Sequence, residues 1–348
     1  MLMTTTPLRP QPERSPLQAT VHLERWLRGH YDAVSDTAFE VVAEAGADLP
    51  ALAASGLLDA DGVIFAEPGV ADSLPVPAVA LEGSVLNCGD DLVVGGEFHI
   101  QVFDYVALGF VALVGPTVVR ITGEDDLTAF LADADLAVSD GSLPQWLLNP
   151  GVVLADAPAL AGMAPTGVAR LYVTADGMVR TAPGGADLAP LRDGAAAIRA
   201  AVATHATDPS LDGVLPSRTL ERARAERPWL PRYLQALDAV RALSRVAGGP
   251  VRISGFGMRL CPQAPAEPVE SAALPLIARA DDGTCFLLYP NGGRAFKVGQ
   301  DVAILVEAKI ACGDQRQADA VAAAALGVGA DEVPGLYSRL RLPEMRAA

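Results

Sequence analysis

A thiol, an imidazole and a carboxylate stand close together in one stretch of the chain, at Cys88, His99 and Asp104. Such a set could supply a nucleophile, a general base and the group that orients the base, provided that all three reach one cleft. His99 and Asp104 are five positions apart in a segment that reads as a strand, and odd spacings on a strand point to opposite faces. His99 therefore reads as a structural histidine. Gly255-Phe256-Gly257 and Gly327-Val328-Gly329 each lack the rest of a dinucleotide fingerprint, and no P-loop, H-E-x-x-H or G-x-S-x-G occurs. Cys88, Cys261, Cys285 and Cys312 form no C-x-x-C pair and have no neighbouring His, so reduced, mostly packed thiols are expected rather than a zinc site. Trp146 and Trp229 sit among Pro and Leu, where packing accounts for them. The residues give no active-site constellation, and the expectation is a protein without catalysis, metal or cofactor of its own.

The elements that must position any site are carried by 348 residues, 51% of them hydrophobic, enough for two domains with buried cores. Lys and Arg number 26 against 42 Asp and Glu, a formal charge of -16, which repels phosphate backbones and makes nucleic acid a poor partner. The first twenty residues, rich in Pro and Thr, lack the apolar centre of a secretory signal and are expected to be a disordered arm. The most apolar stretch, Tyr105 to Val119, is interrupted by Gly and Pro and is shorter than the roughly 20 residues that span a bilayer. A cytosolic protein is expected.

Residues 21 to 205 read as one mixed α/β domain. Val21, Leu23, Trp26 and Leu27 share one side of a short helix, and Phe39 to Ala43 reads as a strand. VIFAE, VPAVALEG, DLVVGG and EFHIQVF, separated by Gly, Pro and Asp turns, predict a sheet. Strand Val118 to Ile121 leads to a helix capped by Thr122, whose first turn carries Glu124, Asp125 and Asp126 against the helix dipole. ARLYVTADGMVRTAP predicts a hairpin turning at Asp176-Gly177, and a helix is expected from Leu188 to Ala203. Nothing in the pattern indicates a parallel, doubly wound order. Residues 206 to 250 read as a helical linker, with a short helix at Thr219 to Glu226 and an amphipathic one from Leu234 to Val246 that presents Leu234, Leu237, Val240, Leu243 and Val246 on one face. Gly248, Gly249 and Pro250 stop it.

From Val251 the pattern changes. VRISGFGMRL reads as a strand, CPQAPAEP as a loop, and FLLYPNGGRAFKV as a hairpin feeding a helix at about Gly299 to Ala311, with Val302, Leu305, Val306 and Ile310 inward. Helices at Gln317 to Leu326 and from Asp331 follow, the last cut short by Pro334-Gly335. Three small strands and three helices in this order make a winged helix-turn-helix-like module over residues 251 to 348, and the whole chain reads as α+β.

Over roughly its last quarter the chain resembles the PqqD-like domains, the recognition elements that hold precursor peptides during ribosomal natural-product maturation. The resemblance rests on Leu287 to Pro290 with Gly292, on Phe296 to Val298, on Cys312-Gly313-Asp314 and on Glu332-Val333. Val298-Gly299 replaces the Leu-Asn usual at the strand-to-helix junction. The resemblance implies that a leader peptide adds as a strand beside the third strand, its side chains lying against the third helix. An open strand edge offers unpaired N–H and C=O groups, and an apolar furrow reads alternate side chains. The expected edge is Arg294 to Val298, with Arg294, Phe296 and Val298 on one face and Ala295 and Lys297 on the other. The expected furrow floor is Leu336, Tyr337 and Leu340, with Arg294, Lys297, Arg339 and Arg341 placing positive charge around an acidic segment. HLERWL, FDYVALGFVALVGPTVVRI and LTAFLADAD add a similarity to the stand-alone recognition proteins of daptide clusters, which implies a precursor peptide and its modifying enzymes as partners.

Two rival readings are a winged-helix DNA-binding regulator and a peptide-modifying enzyme. From Val251 onward 10 Lys and Arg face 11 acids, and the candidate recognition helix QADAVAAAAL offers almost nothing to read base edges. The absence of a catalytic set argues against the enzyme.

Overall fold

The computed structural model describes residues 16–29, 39–58, 62–71, 74, 76–163, 170–205, 207–247, 249–266, 268, 271–289 and 294–340. The expected turn at Pro290 and Gly292, and Arg341, lie outside them. The chain is mixed α and β, with ten α-helices, a ten-stranded sheet and a four-stranded sheet among the described residues. It divides into two compact units. The first gathers the described residues of Met1–Thr122, Val153–Ala159 and Ala164–Leu215; the second gathers those of Gly123–Val152, Leu160–Met163 and Pro216–Ala348.

In the first unit, helix α1 (Pro16–Arg28) starts inside the stretch expected to be a disordered arm. It buries Ala19, Leu23, Trp26 and Leu27, a spacing that makes one helical stripe, while Val21 is exposed. Val21 was expected inward; Ala19, one turn before Leu23, takes that place. Strand β1 (Glu40–Ala43), helix α2 (Leu49–Ala54) and strands β2 (Val63–Ala66), β3 (Ala78–Glu82), β4 (Asp91–Val94), β5 (Phe98–Asp104) and β6 (Thr117–Arg120) follow. Beyond them come β7 (Val152–Leu154), β8 (Arg170–Val173), β9 (Met178–Arg180), β10 (Ala189–Pro190) and helix α5 (Gly194–Ala203).

The sheet order is β10-β9-β8-β1-β2-β3-β4-β5-β6-β7. Its centre, β8-β1-β2-β3, is parallel, a feature that the sequence pattern does not reveal. Strands β1, β2 and β8 are buried along their whole length, as parallel strands covered on both faces must be. Val42, Phe65 and Tyr172 pack with α1 on one face; Val41, Ile64 and Leu171 pack with Leu49, Leu52 and Ile198 on the other. The β8–β9 hairpin turns at Gly177, whose φ of +80° only glycine adopts readily. The helix expected from Leu188 instead begins at Gly194, because Pro190 closes β10 and a short 3-10 turn, Leu191–Asp193, precedes it.

The second unit contains α3 (Glu124–Asp140), α4 (Ala157–Ala161) in part, α6 (Ser217–Glu226) and α7 (Leu230–Leu243). The N-cap of α3 is Gly123, with no side-chain cap bond, where Thr122 was expected; the acidic first turn is present. In α7 the buried stripe includes Tyr233, Leu237, Val240 and Leu243, while Val246 lies beyond the helix and is exposed. Phe130 of α3 meets Tyr233 edge-on, with centroids 5.8 Å apart.

Four antiparallel strands complete this unit: β11 (Val251–Ile253), β12 (Leu276–Ala280), β13 (Cys285–Tyr289) and β14 (Arg294–Val298), in that order across the sheet. The expectation of three strands missed β12. Helices α8 (Gln300–Ala311), α9 (Gln315–Leu326) and α10 (Val333–Arg339) follow. Pro334 does not break α10: it stands in the first turn, where a missing N–H leaves no bond unmade.

Candidate functional site: an open strand edge

Residues 285–298 build the site. In β13, Cys285, Leu287 and Tyr289 face α8 and share an apolar cluster with Ala303 and Val306. The register pairs Cys285 with Val298, Leu287 with Phe296 and Tyr289 with Arg294, so Arg294, Phe296 and Val298 lie on the α8 side of β14. Ala295 and Lys297 lie on the other face, as the alternation requires. Strand β14 ends the sheet: among the described residues β13 is its only strand neighbour. Along it every residue but Val298 is exposed. Phe296 is 47% exposed although it points to the helix side, and its ring meets Tyr289 edge-on at 5.8 Å. An apolar residue on the core side of a strand is normally covered; Phe296 stands outside the cluster that β13 shares with Ala303 and Val306.

The residues expected to floor the furrow pack with the helices. Leu336, Tyr337 and Leu340 are half-buried against Ile304, Leu305, Ala308 and Val321. Tyr337 donates its Oη–H to the Leu305 carbonyl at 3.1 Å, and Lys309 Nζ lies 5.2 Å from the centre of its ring. Burial pushes the Tyr337 phenol well above its ordinary value. Val298 and Phe296 thus belong with the sheet, the three α10 residues with the helices, and α8 carries side chains of both clusters. Arg339 is exposed at the end of α10.

Glu307 fixes α8 under this sheet, and sequence reading missed it. Its carboxylate is wholly buried and accepts hydrogen bonds from the Leu260 amide at 3.0 Å, the Cys261 amide and the Ser254 hydroxyl. The Cys261 thiol is pushed up, first by burial and then by the Glu307 charge. Arg232 of α7 is a second buried anchor, donating to the carbonyls of Ser271, Leu274 and Pro275 just before β12. Only the burial of an ionisable residue marks either one, and burial is not visible in spacing.

A scan against protein-family models finds no match, and searches of the curated proteins and of the solved structures find none.

His99 is exposed on β5, paired across the strand with Val93, and Asp104 caps the following turn by accepting from the Ala107 amide at 2.7 Å. Cys88 is exposed, and the other three cysteines are buried. Among the described residues no three His, Cys, Asp or Glu side chains are arranged to hold a metal ion, and no helix is long and apolar enough to cross a membrane.

Two further polar features occupy the first unit. At the carboxyl ends of β1, β2 and β3 stand Glu44, Glu67 and Glu82, which with Ser84 and Tyr172 line a cleft of about 150 Å³; Tyr172 donates to Glu44 at 3.1 Å. Deeper, Arg170 lies 2.8 Å from Asp156 and 3.6 Å from Asp208, and donates to the Trp26 carbonyl and to Ser210. These partners come from distant parts of the chain, so no motif announces them.

Proposed function

We propose that this chain is a recognition protein that holds the leader of a ribosomally synthesised precursor peptide and presents it to modifying enzymes, as the PqqD-like elements it resembles do, in a daptide-type pathway. The observation that carries the reading is the edge of β14, unpaired among the described residues, with exposed Phe296 on its helix side. A peptide laid along that edge gains main-chain hydrogen bonds over the length of the strand and covers an exposed apolar side chain. The order β12-β13-β14-α8-α9-α10, a meander running into three helices, supports the winged-helix module that the resemblance implies, with β11 as an additional strand. Chemistry on the precursor belongs to the partner enzymes, and the setting is cytosolic.

The test is a titration of the purified full chain with the fluorescently labelled leader of the precursor gene beside its own gene. Saturable binding is expected, and the precursor's mass should stay unchanged after incubation with this protein alone. No saturable binding would overturn the reading. A salt-sensitive shift of duplex DNA in its place would favour the regulator.

A further inference from the structure

We infer that the peptide captured at β14 is acidic at two positions three residues apart: followed along the edge from Arg294, it carries an acid, any residue, an apolar residue, an acid and an apolar residue. The inference rests on the edge-capture reading above and adds the side-chain chemistry of the captured segment.

A strand added to the free edge sets one residue opposite each residue of β14, with Cβ atoms about 5 Å apart, close enough for each pair to interact. On the α8 side the opposing residues meet Arg294, Phe296 and Val298; on the other they meet Ala295 and Lys297. Phe296 offers a ring already backed by Tyr289, so the residue opposite it is covered best when apolar, and the same holds at half-buried Val298. Arg294 and Lys297 are both exposed, and neither closes an ion pair with a described side chain. Hydrogen bonds from Thr284 chiefly hold the Asp282 carboxyl low, with Lys297 a further cause. Both cations are open to a partner.

Their meaning depends on the rest of the chain. With a net charge of -16, the protein as a whole repels an acidic peptide. Two cations spaced along a single open edge therefore act less as a general attractor than as a register mark, because a peptide slipped by one residue moves its acids to the wrong faces. Asp301, in the first turn of α8 and three residues after Val298, disfavours a further acid at that end.

The test is selection of displayed random twelve-residue peptides on the immobilised full chain, run in parallel on Arg294→Glu/Lys297→Glu and on Phe296→Asp. All three positions are exposed, so the variants keep the fold. Peptides retained by the native chain and lost on Phe296→Asp are expected to carry paired acids at the stated spacing, to bind the double variant about tenfold more weakly, and to weaken with added salt. The double variant should select Lys or Arg at the same two places. Edge-dependent peptides without acid enrichment would overturn this inference and leave edge capture standing. Recovery of no peptide sensitive to Phe296→Asp would overturn both.

Discussion

Phe296 and Tyr289 meet edge to face, ring centroids 5.8 Å apart and planes at 87°, one ring at the open border of the sheet and the other a strand further in. Tyr289 is half-buried and Phe296 is not, so the pair marks the line at which the protein's own packing ends. Replacing Phe296 with Asp sets a charge on the surface that a captured strand must desolvate. Leader affinity is expected to fall at least about tenfold, while the thermal midpoint drops by no more than about 3 °C, because little of the core is touched. Anisotropy titration and calorimetry read the two quantities. Unchanged affinity would place capture elsewhere than the β14 edge.

Much of the fold is legible where turn residues separate apolar runs. Strands β1 to β6 and the β8–β9 hairpin fall where Gly, Pro and Asp bracket short Val- and Ile-rich segments. Strand β12 was not legible, since LIARA alternates poorly and follows a proline-rich loop; it is a strand because β11 and β13 pair with both its edges. The parallel centre escaped for a related reason: short parallel strands are marked by pairing partners far along the chain. The alternation of Arg294, Phe296 and Val298 was readable from periodicity alone. The buried groups Glu307, Arg170 and Asp156 were not, because local sequence does not disclose which charges tertiary packing will enclose.

Glu307 links α8 to the 254–261 segment, and the link is expected to matter to the whole second unit. In Glu307→Gln, one carboxylate oxygen becomes an N–H₂ facing donors, which strands a buried amide or hydroxyl. A loss of about 3 kcal/mol is expected, comparable to removing one partner of a buried charged network. Urea unfolding followed by fluorescence measures it; a loss below about 0.5 kcal/mol, the range of ordinary surface substitutions, would show that the network contributes little.

Gly257 sits against the end of α3. A Cβ there would lie 2.1 Å from the Gly141 amide nitrogen and 2.2 Å from the Asp140 carbonyl carbon, both backbone atoms that no side-chain rotation can clear, and its φ is +65°. Gly257 also donates its amide to the Val138 carbonyl at 3.1 Å. Gly257→Ala is therefore expected to destabilise the second unit by more than the roughly 1 kcal/mol of an ordinary unfavourable glycine replacement. A fall in the thermal midpoint, with protease sensitivity appearing at the 254–261 segment, is the expected readout. Native-like stability would mean that the two backbones can part at little cost.

Asp156 and Asp208 share one guanidinium, that of Arg170, in a pocket where all three side chains are buried. Burial, with the neighbouring Asp208 charge, outweighs Arg170 and raises the Asp156 carboxyl above its ordinary value of 3.8. Between that value and the raised one the native state holds a proton that the unfolded chain has released. The contribution of this group to stability is therefore complete below about 3.8 and is lost as pH rises through the folded value. Asn at this position keeps the side-chain shape, tolerates the left-handed backbone at φ +57°, and cannot titrate. Unfolding free energies of the native chain and of Asp156→Asn, measured in urea from acid to neutral pH, are expected to differ by an amount that shifts in favour of the variant as pH rises. A difference that stays flat would place the proton on another group.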